Sequence, residues 1–401
     1  MRTVPKLAAV REQTALPLEP MAVEFFAGIG LARLGLQQAG FRVAWSNDIE
    51  PAKRDMYAGN FKDPEESHTF VLGDVTHVRG SDMPADIALA WASSPCVDVS
   101  LAGARAGMQG ARSSTFYQFT RVLRELGEDA RPEVVTLENV VGLATSHGGE
   151  DLAAAIAELN DLGYSVDVLT LDARWFVPQS RPRLFVVGAR NAPPDQPDAN
   201  PKLRPEWLQA PFADRSLVTH RALLPDIGPA AVGTLATIVE PVPSGDKQWW
   251  DPERTAAFTS SLSPVQAERL AVLRKSNRFA YRTAYRRTRK GVPMWEIRAD
   301  DIAGCLRTAR GGSSKQALVE VGRGKLRVRW MTAREYARLM GADDYELDGI
   351  RANQALFGFG DAVCVPAVAW LAEHYLMPLV EGKLQEKPVL DSTSEVADAG
   401  A

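Results

Sequence analysis

One cysteine follows a short apolar run, and it is the side chain best placed for covalent chemistry. Residues 86–91 are almost entirely apolar and uninterrupted, which predicts a buried parallel strand. Pro95 lacks a backbone donor and ends that strand, so Cys96 would lie at its carboxyl end, where open α/β sheets bind ligands. Cys96 is therefore either a nucleophilic thiolate at the root of a Gly-rich loop or a small buried apolar residue.

A carboxylate and two arginines could assist such a nucleophile. Glu138 follows the apolar run at 133–137, and an acid held partly desolvated at a strand end can donate a proton. The alternative is a solvated loop carboxylate. Arg181 and Arg183 precede the apolar run at 184–188 and project to the same side. They suit either an anion or carbonyl oxygen, or simply a solvated strand edge.

The elements that must position these groups begin with a strand, a Gly-rich turn and a helix. Residues 21–26 predict a buried strand, Gly28 and Gly30 a tight turn, and residues 31–39 a helix. This is the opening unit of a nucleotide-binding fold, although a structural turn has the same pattern. Arg33 replaces the third glycine of the dinucleotide motif, which disfavours a dinucleotide.

Two further acids follow predicted strands. Asp48 ends the run at 41–47, where it could bind a ribose diol or cap the helix that starts near Pro51. Asp74 follows the run at 69–72 at the same predicted sheet edge.

Strands and helices alternate five or six times in the first half. This pattern predicts an α/β fold with a doubly wound, mostly parallel sheet, right-handed crossovers and helices on both faces. An apolar helix ending near Leu376 should pack against that sheet. We predict five segments, namely an extension (1–20), a catalytic domain (21–190), a target-recognition domain (191–330), returning helices (331–380) and a tail (381–401).

Basic residues concentrate in the second half. Residues 273–290 hold eight basic and three aromatic side chains and no acid, and a helix leads into them. Such an excess suits phosphate binding with stacking on bases, and a solvated charged face is the alternative. Residues 323–330 alternate basic and apolar types, which predicts a strand with one cationic face. The Gly-rich loop at 307–315 could approach a phosphate backbone.

Composition narrows the class of protein. The 401 residues are 45% hydrophobic and 24% charged with a net charge of −4, typical of a globular protein. Three distant cysteines form neither a disulfide framework nor a zinc cluster, so we expect a reducing cytosol and no metal. Residues 1–20 lack a signal peptide's apolar core. The longest near-apolar run, 362–372, is too short to span a bilayer, so we expect no membrane association.

Together these motifs resemble those of the C5-cytosine DNA methyltransferases, in the family's order, from about Val23 to Leu376. The matching segments are Phe26-Ala27-Gly28-Ile29-Gly30, Asp48, Asp74, Pro95-Cys96, Glu138-Asn139-Val140, Gln179-x-Arg181-x-Arg183, Arg307 to Gly312 and Gly360-Asp361-Ala362-Val363. Two positions depart from the family pattern. Val97 stands where Gln is usual, and Asp361 stands where Asn is usual.

The resemblance implies methyl transfer from S-adenosyl-L-methionine to C5 of cytosine, with S-adenosyl-L-homocysteine as product. Cys96 would attack C6, Glu138 would protonate N3, Arg183 would bind O2, and the base would be flipped out of the duplex. The catalytic residues implied are Cys96, Glu138, Arg181 and Arg183. The cofactor-binding residues implied are Phe26, Gly28, Gly30, Asp48, Ile49, Asp74, Val75, Pro95, Asp361, Ala362 and Val363.

The expected partner is double-stranded DNA. The predicted DNA contacts are Ser100, Arg105, Arg112, Arg274, Lys275, Arg282, Arg286, Arg287, Arg310 and Gly311. We expect a monomer in the bacterial cytoplasm, associated with the nucleoid, accompanied by a cognate restriction endonuclease or defence-system proteins. Two alternatives stay open, a tRNA cytosine-5 methyltransferase and a non-catalytic DNA-binding partner.

Overall fold

The computed structural model describes residues 19–64, 66–94, 115–228, 233–289, 291–307 and 315–384. Several predicted site residues lie outside these ranges, namely Pro95, Cys96, Ser100, Arg105, Arg112, Arg310 and Gly311.

A seven-stranded sheet carries the first half of the chain. Its strands are β1 Met21–Phe25, β2 Arg42–Asp48, β3 Thr69–Leu72, β4 Ile87–Ser93, β5 Val134–Val140, β6 Ser165–Asp172 and β7 Pro182–Ala189. The strand order is β3-β2-β1-β4-β5-β7-β6. The first five strands are mutually parallel and β7 is antiparallel to both β5 and β6. The predicted doubly wound, mostly parallel sheet is confirmed.

Helices cover both faces of this sheet. The α-helices of the described residues, of which α7 and α8 lie against a second, smaller sheet, are α1 Leu31–Gln38, α2 Pro51–Asn60, α3 Thr115–Glu125, α4 Gly127–Ala130, α5 Glu150–Asn160, α6 Ala210–Ala213, α7 Pro252–Ser260, α8 Pro264–Lys275, α9 Ala333–Leu339, α10 Ala352–Asp361, α11 Val365–Leu371 and α12 Met377–Val380. Successive residues of β4 point to opposite faces. Leu89 and Trp91 join the core under α1 and α11, whereas Ala90 and Ala92 join the core under α3 and α5. Burial on both faces explains why this strand reads as a continuous apolar run.

The C-terminal helices pack on α1 and share one core with the large sheet, against which the sequence predicted that they pack. A Cβ atom on Gly35 would lie 2.6 Å from Val368, so α1 and α11 approach closely because position 35 has no side chain. The most apolar 18-residue window of Ala352–Val380 has a mean hydropathy of 1.7, so this stretch could cross a membrane by length and composition alone. Since 67% of that window is buried inside the fold, packing accounts for this composition. The expectation of no membrane association stays a prediction.

The second sheet is antiparallel and organises the basic stretches. Its strands are β8 Ala280–Arg289, β9 Val292–Ile297, β10 Ala317–Gly322 and β11 Lys325–Trp330, in the order β11-β10-β8-β9. One face buries an aromatic cluster against α7 and α8, formed by Trp250, Phe258, Trp295 and Trp330.

The second basic stretch forms the predicted strand β11, but its charges are largely neutralised within the protein. Arg327 donates to Glu320 at 2.8 Å. Arg329 is fully buried and donates to Glu335 at 2.9 Å. The expectation of an open cationic face was therefore wrong, because neighbouring carboxylates, one on β10 and one on α9, pair with these arginines.

The segment between the two sheets packs mainly with the first. Leu203, Leu224, Leu235 and Ile238 belong to the same core as Leu89 and Trp91 of β4. This packing favours a domain boundary closer to the start of the second sheet than residue 191. The division of the chain into domains stays a prediction.

A fully buried ion pair fastens this segment to the edge of the large sheet. Asp167 of β6 accepts from Arg204 Nε at 2.8 Å and from the Tyr375 hydroxyl at 2.9 Å, and neither member of the ion pair is exposed. His220 lies 3.0 Å from the same hydroxyl. Three distant parts of the chain thus share one carboxylate.

We expect Asp167→Asn to lower the free energy of unfolding by about 3–5 kcal/mol, because it leaves the buried guanidinium uncompensated. Urea unfolding measures this change. Asp195→Asn is the matched control, since Asp195 pairs with Arg221 at a partly exposed site and its loss should cost about 1 kcal/mol or less. Equal effects of the two variants would contradict the prediction.

Candidate active site

The Gly-rich turn after β1 is strained and tightly packed. Phe26 has φ 58° and Gly28 φ 58°, and a positive φ is costly for a residue with a side chain. Gly30 has φ 83°, and a Cβ atom there would lie 2.3 Å from Phe61 and 2.9 Å from Tyr57. The Tyr345 hydroxyl donates to the carbonyl of Ile29 at 2.7 Å. The turn is therefore held in one conformation at the carboxyl edge of the sheet.

The acid after β2 joins this turn to α2. One oxygen of Asp48 accepts from Gly28 N–H at 2.8 Å and the other from Glu50 N–H at 2.8 Å. The N-cap residue of α2 is Glu50, so the structure does not support the helix-cap alternative for Asp48. Ile49 is 65% exposed beside it and offers an apolar surface at the rim.

The acid after β3 starts a short 3-10 turn, Val75–His77. Asp74 accepts from Thr76 N–H at 2.8 Å, and this backbone hydrogen bond lowers the pKa of the Asp74 carboxyl. Val75, by contrast, is buried in the core. Two acids at neighbouring strand ends, with Phe26 and the exposed Ile49 nearby, fit an adenosine-type group because they combine hydroxyl acceptors with apolar walls.

Asp361, which stands where the family usually has Asn, forms an ion pair with a lysine of α2. Lys53 Nζ lies 2.8 Å from the Asp361 carboxylate and 5.4 Å from the centre of the Phe357 ring. The negative charge that Asp361 adds is therefore matched by a cation from the segment following Asp48. Ala362 and the buried Val363 follow directly.

We expect Lys53→Met and Asp361→Asn to show non-additive effects on S-adenosylmethionine affinity, with a coupling of about 0.5–1 kcal/mol because the pair is partly exposed. Titration calorimetry of the two single variants and the double variant measures the coupling. Lys62→Met, an exposed lysine beyond α2, is the control and should bind as the wild type does. Strictly additive effects would show that the pair is not coupled to the cofactor.

The predicted acid lies on β5, between strands β4 and β7. Glu138 sits near the end of β5, opposite Ser93 of β4 and Phe185 of β7, and is buried. Arg183 Nε lies 2.8 Å from its carboxylate. Burial raises the pKa of Glu138, while Arg183 and then Arg181 oppose the shift. The structure thus excludes a solvated loop carboxylate, and the catalytic role of Glu138 stays a prediction.

The two arginines of the Gln-x-Arg-x-Arg motif contact different partners. Arg181 is buried and donates to the carbonyls of Leu306 at 2.7 Å and Gly360 at 3.2 Å. Arg183 instead faces Glu138. Gln179 accepts from Leu306 N–H at 3.1 Å. Arg181 therefore fastens the C-terminal motif and the segment between β9 and β10 onto β7.

The predicted DNA contacts on the second sheet fall in two places. Arg274 and Lys275 are exposed at the end of α8, and Arg274 donates to the carbonyl of Gly324 at 2.8 Å. Arg286 and Arg287 are exposed near the far end of β8, where Arg287 lies 3.4 Å from Glu296. Arg282 is half-buried. The basic stretch thus divides between a helix end and a strand.

Sequence reasoning missed two groups near the site. Lys53 carried no motif signal, and Cys305 counted only as a distant thiol. Cys305 Sγ lies 3.3 Å from Arg181 Nη1. No local pattern could have found either contact, since their partners are more than a hundred residues away. Within the described ranges, no group of three His, Cys, Asp or Glu side chains could hold a metal ion.

Comparison with known proteins adds family evidence. A family model described as C-5 cytosine-specific DNA methylase matches residues 21–376. The Type II methyltransferase M.HhaI of Haemophilus parahaemolyticus is 31% identical over 170 residues, which cover 42% of this chain and 49% of that protein. M.BanI of Aneurinibacillus aneurinilyticus is 36% identical over 179 residues, 43% and 39% of the two chains. The aligned part thus spans half or less of these curated relatives.

Solved structures share the fold at low identity. The Dnmt2 methyltransferase of S. pombe superposes with a TM-score of 0.56 at 16% identity, covering 92% of this chain and 100% of that one. The Entamoeba histolytica methyltransferase EhMeth gives 0.52 at 13% identity, with 92% and 99% covered. Likeness at this identity supports the architecture alone.

Proposed function

The chain belongs to the C-5 cytosine-specific DNA methylase family, and on that premise we propose that it is a DNA (cytosine-5)-methyltransferase. It transfers a methyl group to C5 of a flipped-out cytosine in a specific duplex sequence. The observation that carries the proposal is the buried Glu138 paired with Arg183 at the edge of the sheet. Ser94, two residues before Cys96 in the chain, is joined to the residue after Glu138, since Asn139 Nδ2 donates to its carbonyl at 3.4 Å.

The cofactor site uses the carboxyl edge of β1 to β3. When bound, S-adenosylmethionine supplies an electrophilic methyl group and leaves as S-adenosylhomocysteine. Asp48 and Asp74 would accept hydrogen bonds from the ribose and adenine side of the bound cofactor, and Phe26 and Ile49 would supply apolar contacts. The ion pair of Lys53 with Asp361 offsets the negative charge that Asp361 adds at this edge.

Cys96 is the nucleophile. Its thiolate adds to C6 of the pyrimidine, and the electron pair displaced to C5 forms the bond to the methyl group. Loss of the C5 proton to a base then allows the C6–S bond to break, which returns the thiolate and releases 5-methylcytosine. Splitting the reaction this way makes C5, a weak nucleophile in cytosine itself, reactive enough to be methylated.

Glu138 and Arg183 stabilise the charge that this addition places on the ring. The protonated Glu138 carboxyl donates to N3, and Arg183 donates to O2. Burial supports the first role because it raises the pKa of Glu138 and so favours the protonated form. Arg181 acts indirectly, by holding β7 against the segment around Leu306.

DNA binding combines the exposed cations of α8 and β8. Arg274, Lys275, Arg286 and Arg287 bind phosphates, and extrusion of the target base costs a few kcal/mol that these contacts offset. We further propose that the protein acts as a monomer in the bacterial cytoplasm, at the nucleoid. M.HhaI and M.BanI are Type II methyltransferases, and by likeness to them we propose a restriction-modification setting with a cognate endonuclease.

Tritium transfer from labelled S-adenosylmethionine tests the proposal, with duplex DNA and tRNA as competing acceptors. We expect label in DNA alone, and bisulfite sequencing of a host that expresses the protein should give one short recognition sequence. DNA containing 5-fluorocytosine should form a covalent adduct with the protein, because fluorine cannot leave as the proton does. Label in tRNA alone, or binding of DNA without transfer or adduct, would refute the proposal.

A further inference from the structure

A second thiol lies beside the predicted acid and its arginine. Cys305 lies in the segment that joins β9 to β10 of the second sheet, and this segment runs along the residues that lead into β7. Ser180 N–H donates to the carbonyl of Ala303 at 2.9 Å, and Ala303 N–H donates to that of Pro178 at 2.7 Å. Two main-chain hydrogen bonds therefore hold the backbone next to Cys305 in a fixed place relative to the arginines of β7.

The Cys305 sulfur contacts both of these arginines. Arg181 Nη1 lies 3.3 Å from Sγ, and Arg183 Nη1 and Nη2 each lie 4.0 Å from it. The remaining nitrogen of the Arg183 guanidinium, Nε, lies 2.8 Å from Glu138. One edge of the guanidinium thus faces a carboxylate, and the other faces sulfur and the carbonyl of Pro182, to which Nη1 donates at 2.9 Å. Arg181 is itself buried, and its Nε has no hydrogen-bond acceptor among the described residues.

The positive charges around the Cys305 sulfur favour its thiolate form, which is a better hydrogen-bond acceptor than the thiol. Burial by itself would raise the pKa of Cys305, but Arg181 and Arg183, with a smaller contribution from Arg307, lower it overall. Glu138 is the acid that faces this group, and it does so through Arg183. In the thiol form the sulfur also lies 3.3 Å from the carbonyl of Leu306, to which it can donate.

We propose that Cys305 is a positioning residue for Arg183, and this proposal rests on the proposed methyltransferase function. The sulfur accepts from the amino groups of Arg183 and so fixes the plane of the guanidinium while Nε stays on Glu138. It also offsets part of the positive charge of the two arginines. Without that offset, the arginines would lower the pKa of Glu138 further and favour loss of its proton. A cysteine outside every family motif thereby tunes the proposed acid and the O2-binding arginine together.

Kinetics of Cys305→Ala and Cys305→Ser test the proposal. We expect Cys305→Ala to lower kcat about tenfold or more through misplacement of Arg183, with KM for DNA nearly unchanged. Cys305→Ser should recover part of the loss, because a hydroxyl oxygen accepts from the same donors. In Cys305→Ala the alkaline limb of the kcat profile should move to lower pH, because Glu138 loses its proton more easily.

Cys364→Ala is the matched control, since Cys364 is buried at the start of α11 and should leave both kcat and the pH profile unchanged. Wild-type kcat and pH profile in Cys305→Ala would overturn the proposal. A loss in Cys305→Ser as large as that in Cys305→Ala, at unchanged melting temperature, would overturn it too.

A second measurement does not depend on methyl transfer. Alkylation by iodoacetamide, followed for each cysteine peptide by mass spectrometry across pH, reports the pKa of each thiol. In Arg183→Gln the midpoint for Cys305 should rise by more than that for Cys364, because Arg183 contacts the Cys305 sulfur and is the smallest of the charges that act on Cys364. An unchanged Cys305 midpoint would overturn the contact. If the wild type transfers no methyl group to DNA but the midpoint shifts, the proposed function fails and the contact stands.

Discussion

Cys96→Ser is expected to reduce methyl transfer to DNA by at least a thousandfold, about 4 kcal/mol in activation free energy. The serine hydroxyl is far less acidic than a thiol, so almost none is ionised to attack C6. Duplex DNA binding should persist, because the substitution removes no cation and changes one atom.

Tritium transfer measures the loss of methyl transfer, and a gel-shift titration of the same preparation measures DNA binding. The covalent adduct with 5-fluorocytosine DNA should disappear in Cys96→Ser and remain in Cys364→Ala. A serine variant with wild-type activity would refute the role of Cys96 as nucleophile. Loss of DNA binding in parallel with activity would point to a structural role instead.

Glu138→Gln is expected to lower kcat by about a hundredfold to ten-thousandfold, the usual contribution of a positioned proton donor. The amide has the shape of the acid and can still accept from Arg183, so KM for DNA should change little. The wild-type rate should fall as pH rises through the raised pKa of Glu138, because only the protonated carboxyl can donate. This limb should be absent from the variant.

Steady-state kinetics between pH 5 and pH 9, a window of about two units on either side of neutrality, separate these effects. Glu133→Gln is the matched control, since Glu133 precedes the same strand but is largely exposed and pairs with Arg190 and Asn191. It should retain wild-type kcat. A Glu138→Gln variant that keeps either full activity or the alkaline limb would remove Glu138 from the mechanism.

The strands of the large sheet were predictable because each follows from a local pattern of apolar residues in the sequence. Parallel strands buried on both faces need continuous apolar runs, and these runs predicted β1 to β5 to within a few residues. The position of Glu138 and Asp48 after such runs also placed both at the carboxyl edge. Motif order along the chain then indicated the family, and the family model matches the expected range.

The ion-pair partners of charged side chains were not predictable in the same way. The alternation of residues 323–330 predicted β11, but its arginines pair with Glu320 and Glu335. Those partners depend on which strand lies beside β11 and where α9 begins. The alternation of residue types along one strand predicts on which side of the sheet a side chain lies. It does not predict which residues of other elements contact that side chain.

The sequence by itself determined the strand and helix pattern, the family and the candidate nucleophile and acid, because these follow from backbone periodicity and short motifs. The tertiary structure alone decided that Arg181 braces the fold, that Arg183 meets Glu138, and that Lys53 pairs with Asp361. It also brought Cys305 onto both arginines. Each of these contacts joins residues far apart in the chain, and only the packing of one element on another brings their atoms within hydrogen-bonding distance.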